Sequence, residues 1–219
     1  MRIDIWSDVS CPWCYITKRT FELALSASGR SDAQVVLHPY QIDGEQPARP
    51  APMLAWLAGK YGAERAAEMD KEVTAAGPRH GIAFRNATGF AVNTLDAHRL
   101  LWWAGRSHGR PVQSRLEELL FAAYFTQSAD ISDHGVLLSR VEEAGLDRGR
   151  AARLLASDEA VAEVRAEVRE ARALGITVVP RIEFAGGHVV EGPQEDPEVF
   201  LKALTGHAPA ATGSQGERT

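Results

Sequence analysis

Cys11 and Cys14 are the only cysteines in the 219-residue sequence, and two residues separate them. Thiols at that spacing suit two chemistries. One is reversible dithiol–disulfide exchange; the other is half of a tetrahedral zinc site. Structural zinc takes four Cys or His ligands, often from a second such pair. There is no second pair, and the seven histidines are scattered. Redox exchange is the favoured reading.

That chemistry requires the sulfurs to be placed, and the flanking sequence does so. Residues 3–8 (IDIWSD) read as a strand. Trp13, Ile16, Thr17, Phe21 and Leu25 follow with helical spacing. Pro12 suits the first helical position, where a missing N–H costs nothing. Cys11 then falls at the N-cap, with Cys14 in the first turn on the same face. The first-turn N–H groups lack intrahelical partners and carry partial positive charge. A thiolate at Cys11 can accept hydrogen bonds from them. In such settings a cysteine pKa of about 8.5 falls to roughly 3.5–7.5. The same placement favours Cys11 as nucleophile and leaving group, with Cys14 in reach of a mixed disulfide formed on it.

Composition sets outer bounds. An apolar fraction of 45% and a charged fraction of 24% are ordinary for a globular chain. A net charge of −5 argues against nucleic acid as the main partner. No apolar run of 18 residues exists, so no membrane span is expected. A strand begins almost at Met1, and Asp4 interrupts any signal-like run. A cytoplasmic protein is expected. There, two paired cysteines read as catalytic rather than structural.

In chain order, residues 1–44 predict strand, helix and strand, the second strand over 34–42. Pro39 places that strand at an edge or a bulge. A proline-rich stretch over 46–52 marks a boundary. From 53 to 173 Ala, Leu, Glu and Arg dominate, and helices follow one another. Strand signal returns over 176–184, then a hairpin partner over 188–192 and a helix over 197–204. Residues 207–219 predict a disordered tail. Neither end piece can fold alone. Joined, 1–44 and 174–206 make one α/β domain, with 53–173 as an all-helical insertion.

With these elements in place, the sequence resembles the thioredoxin superfamily, and within it the DsbA-like oxidoreductases of the FrnE type. The carriers are 7–16 (SDVSCPWCYI), 93–100 (NTLDAHRL), 120–126 (LFAAYFT) with 130–133 (DISD), and 175–180 (GITVVP). The resemblance implies a thioredoxin fold with an inserted helical subdomain. By position it makes Cys11 the attacking and Cys14 the resolving cysteine. It matches Pro180 to a proline whose preceding peptide bond is cis and which faces the dithiol. Val179 would then offer backbone groups to substrate, beside Pro12 and Trp13. Arg181 departs from the family, which more often places an apolar residue there.

Other residues have plainer readings. His98 shares a helix face with Leu95, Leu101 and Trp102. It could line the substrate cleft, but a packed histidine bonded to backbone is favoured. Trp13 is a flat platform if exposed and core if buried. Trp102 and Trp103 could wall the cleft, but packing between the subdomains is favoured. Asp8 and Ser10 either tune Cys11 or shape its loop.

Two functions follow. The leading one is a thiol–disulfide oxidoreductase acting on a disulfide- or thiol-containing protein or small molecule. It needs no bound cofactor; glutathione or another thiol would be its redox partner. The rival is a glutathione-dependent isomerase or transferase related to 2-hydroxychromene-2-carboxylate isomerase and the kappa-class glutathione transferases. Those proteins typically have serine where Cys11 stands, so the intact pair favours redox.

Overall fold

The computed structural model describes residues 1–44, 47 and 49–206. The tail expected over 207–219 and part of the proline-rich boundary lie outside them. The first strand, β1 (Arg2–Ser7), buries Ile3 and Ile5 and forms the middle of a four-stranded sheet. It pairs in parallel with β2 (Gln34–Pro39) and antiparallel with β5 (Arg181–Phe184). The sheet closes with β6 (Val189–Glu191), giving the order β2-β1-β5-β6. Between β1 and β2 runs α1 (Pro12–Ser28), the crossover that a parallel pair requires.

Two expected strands are shorter than the sequence suggests. The second stops at Pro39, three residues early, on the sheet edge where a proline is tolerated. The strand expected over 176–184 begins only at Arg181. Pro180 has no N–H to give a ladder, and residues 176–180 run outside the sheet. A two-stranded ribbon, β3 (Ala51–Pro52) with β4 (Phe90–Ala91), was not signalled by any pattern.

The insertion is helical: α2 (Met53–Tyr61), α3 (Ala63–Ala76), α4 (Leu95–His108), α5 (Arg110–Phe125), α6 (His134–Glu143), α7 (Arg148–Leu155) and α8 (Val161–Ala173). A short 3-10 turn, Asn86–Thr88, precedes β4, and α9 (Pro197–Thr205) closes the chain. Asp133 caps α6; its carboxylate accepts from the Val136 N–H.

Packing shows how the parts join. One apolar cluster, including Ile3, Phe21, Phe184 and Phe200, lies between the sheet, α1 and α9. The second starts at Trp6, Cys11, Cys14 and Tyr15 and continues through Leu100, Leu116 and Phe121 into the helical insertion. Phe121 stacks on Tyr15 with centroids 4.9 Å apart and planes 8° from parallel. The insertion therefore sits directly on the cysteine-bearing end of the sheet. Among the described residues no helix is long and apolar enough to cross a membrane.

Candidate active site

Cys11 is the N-cap of α1, and Pro12 occupies its first turn. The Cys14 N–H lies 3.4 Å from the Cys11 sulfur and donates to it. This is the helix-terminus contact that the proline placement predicts. Both cysteines are free thiols and both are buried. Burial pushes the Cys14 thiol well up, and the neighbouring Cys11 sulfur adds to it; the Asp8 backbone and the Ser7 hydroxyl offset only part.

The opposite wall comes from the start of β5. The Val179–Pro180 peptide bond is cis. The Val179 carbonyl oxygen lies 3.7 Å from the Cys11 sulfur. Cys14 and Pro180 line one small cavity, with Thr17, Lys18 and Glu117. Arg181 pairs with Glu191 at 3.1 Å and Glu183 at 3.4 Å. Its charge is met within the sheet.

The loop before Cys11 is held by a buried carboxylate. Asp8 is 1% exposed. It accepts from the Ser10 N–H at 3.2 Å, the Ser10 hydroxyl at 2.8 Å and the Ile42 N–H at 2.8 Å. His98 Nε2 donates to it at 3.3 Å. Burial alone would raise the Asp8 carboxyl, but His98, the Ile42 amide and Ser10 together hold it below the ordinary carboxylate value. His98 is therefore packed, as the favoured reading has it, but among the described residues its ring is bonded to the Asp8 carboxylate and not to backbone. It is buried and ties α4 to the cysteine loop through Asp8. Sequence reasoning singled out both residues but not their pairing, because 90 positions separate them.

Trp13 is half-buried against the helical cluster. Trp102 lies elsewhere, bonding Glu167 at 3.0 Å under the Arg106 guanidinium. Ser10 and Pro12, which flank Cys11, line a cavity whose other walls are α2, α3, the end of α5, Ile42 and Asp43, Asn86, and Ala91 with Val92. Apart from Ser10 and Pro12, its residues were not singled out from the sequence. The signal available was the spacing of Met53, Trp56, Leu57 and Lys60, which share one face of α2. Among the described residues no group of three or more His, Cys, Asp or Glu could hold a metal ion.

The model of the DSBA-like thioredoxin domain matches residues 2–205. A probable DsbA oxidoreductase from Streptomyces coelicolor is 34% identical in sequence, with a TM-score of 0.84, over 100% of this chain and 92% of that one. The cytosolic disulfide reductase DsbM from Pseudomonas aeruginosa shares the fold at 16% identity and a TM-score of 0.63, over 94% and 98% of the two chains. A 2-hydroxychromene-2-carboxylate isomerase shares it at 14% identity and 0.66, over 94% and 95%. No curated protein matches.

Proposed function

Because the chain belongs to the DSBA-like thioredoxin domain family, we propose that it is a thiol–disulfide oxidoreductase in which Cys11 attacks and Cys14 resolves. The observation that carries this reading is the pair of free thiols at the start of α1, with the Cys14 N–H donating to the Cys11 sulfur. In the forward direction the Cys11 thiolate bonds to one sulfur of a substrate disulfide, and the other sulfur leaves. Cys14 loses its proton and attacks the Cys11 sulfur, releasing the second. The protein gains a Cys11–Cys14 disulfide and the substrate is reduced by two electrons. Two equivalents of a thiol of the glutathione type then reduce the Cys11–Cys14 disulfide, leaving as their own disulfide and returning both cysteines to thiols.

Several features support the partners of this reaction. The Val179 carbonyl beside Cys11 offers a backbone acceptor to an extended segment. The FrnE-type resemblance of residues 7–16 and 175–180 supports a dithiol enzyme acting on a protein or small-molecule disulfide, and the fold shared with the cytosolic disulfide reductase DsbM is in keeping with a cytoplasmic setting. The isomerase reading has weaker support: at 14% identity that neighbour shares only a fold, and both cysteines are intact here.

Equilibration with glutathione buffers of graded ratio tests the proposal. We expect reversible two-electron oxidation of Cys11 and Cys14 as one couple. Its position against a cytosolic poise of about −220 to −320 mV gives the direction of electron flow. Failure to form a reversible Cys11–Cys14 disulfide would rule the reading out.

A further inference from the structure

The resolving step has a proton to move. Only a thiolate attacks a disulfide, and Cys14 is a free thiol with 2% of its surface exposed. Bulk water has little access to that sulfur, so an acceptor inside the fold is called for.

Two buried carboxylates lie on the elements around the dithiol. Asp8 has no capacity left. Its Oδ1 accepts from the Ser10 N–H and from His98, and its Oδ2 from the Ser10 hydroxyl and the Ile42 N–H. A carboxylate offers about four lone-pair sites, and these are taken. Glu117 on α5 is the other, and it is 2% exposed. Its Oε2 accepts from Arg110 at 3.3 Å, whereas Oε1 has no hydrogen-bond partner among the described residues.

Glu117 and Cys14 line the same small cavity. Its volume is about 10 Å³, close to the least that holds one water molecule. A water needs two to four polar partners, and Glu117, Ser7 and Cys14 all border this space. The sheet residues there, Ile5, Ser7 and Ile182, carry no carboxyl; Glu117 supplies the one carboxyl of the lining. Two cations also border it, and both are matched. Lys18 of α1 pairs with Glu22 at 2.8 Å and Glu118 at 3.3 Å. Arg110 pairs with Glu117 and lies 3.9 Å from Glu22.

We propose that Glu117 accepts the Cys14 proton, through one water in this cavity, as the mixed disulfide resolves. The helical insertion then takes part in the reaction as well as covering it. The proposal rests on the dithiol reading above. The Cys14 proton passes to the water, and a water proton passes to Glu117 Oε1. The Cys14 sulfur bonds to the Cys11 sulfur, the bond from Cys11 to the substrate sulfur breaks, and the substrate leaves as a thiolate. The cysteine pair has then lost two electrons and the substrate disulfide has gained them. Glu117 gives its proton to solvent, and the departing thiolate takes one up.

Rapid mixing of the reduced protein with excess bis(2-hydroxyethyl) disulfide, followed by acid quenching and intact mass, tests this. Decay of the mixed disulfide reads the resolving step alone. With an internal carboxylate as acceptor, the reacting groups hold a fixed number of protons, and the rate should stay within about twofold from pH 6 to 8. If solvent must first ionise Cys14, the rate rises about tenfold per pH unit. Glu117→Gln should resolve about 10²-fold more slowly at pH 7, the lower end for one proton-transfer group, and should show that tenfold rise. Glu117→Asp should restore the flat profile at a reduced rate. A tenfold rise per unit in the unmutated protein would overturn the proposal without any variant. A flat profile in Glu117→Gln would overturn it equally. If no mixed disulfide forms on Cys11 and no Cys11–Cys14 disulfide appears, the oxidoreductase reading itself falls and this proposal with it.

Discussion

The Cys11 sulfur and the Val179 carbonyl oxygen lie 3.7 Å apart, although 168 positions separate the residues. The contact joins the N-terminus of α1 to the segment entering β5. The dithiol is thus set by two elements from opposite ends of the chain, and by the insertion packed over both.

Asp8 anchors the loop between β1 and Cys11. Its lowered carboxyl contributes stability that is present above the ordinary carboxylate value and is lost as pH falls through the folded one. Glu118, which burial alone would raise but Arg19, Lys18 and Tyr15 hold below its ordinary value, acts in the same direction. Stability should therefore fall as pH drops below about 4. Asp8→Ala strands the Ser10, Ile42 and His98 donors and should cost about 3–5 kcal/mol at pH 7, with a weaker acid dependence. Urea unfolding at several pH values measures both; an unchanged acid profile in Asp8→Ala would exclude this role.

His38 makes the opposite prediction. It lies between the Asp4 carboxylate at 2.7 Å and that of Glu167 at 3.5 Å, linking the sheet to α8. Burial alone would lower its pKa, but the two carboxylates raise it. A raised histidine stabilises fully below its unfolded pKa, about 6.5, and loses that contribution as pH rises through the folded value. Thermal midpoints should decline as pH rises above about 6.5, and His38→Gln should flatten the decline. An equal decline in the variant would assign it to other groups.

Sheet and insertion should unfold together, because one apolar cluster runs through both. Phe121 is fully buried and stacks on Tyr15. Phe121→Ala should cost about 3–5 kcal/mol. Far-ultraviolet dichroism and tryptophan fluorescence should report the same midpoint in both proteins. Two separated transitions in the unmutated chain would show independent units.

What the sequence made legible was local. Strand, cap, Pro12 and Cys14 lie within a few positions, and propensity, capping and spacing agree there. The sheet domain split by a helical insertion followed from the alternation of strand and helix signals. The early end of β2 and the late start of β5 trace to Pro39 and Pro180, whose missing N–H weighs more than the apolar runs around them. Relationships across the fold were not legible. No periodicity reports that Asp8 meets His98, or that Asn86 faces Asp70 beside α2. Each residue is unremarkable in its own segment, and only packing gives it a partner.

Cys14 is held as a thiol by burial and by the adjacent sulfur, whereas Cys11 faces the helix N-terminus. At neutral pH a limiting amount of iodoacetamide should label Cys11 before Cys14. Peptide mapping reads the order, and labelling of Cys14 first would reverse the roles.

Trapping the intermediate tests the division of labour most directly. Cys14→Ser, reduced and then mixed with bis(2-hydroxyethyl) disulfide, should retain one mercaptoethanol adduct by intact mass, mapped to Cys11, that persists until external thiol is added. Cys11→Ser should form none at a comparable rate. A stable adduct on Cys14 in Cys11→Ser, with none on Cys11 in Cys14→Ser, would contradict the assignment of attacker and resolver.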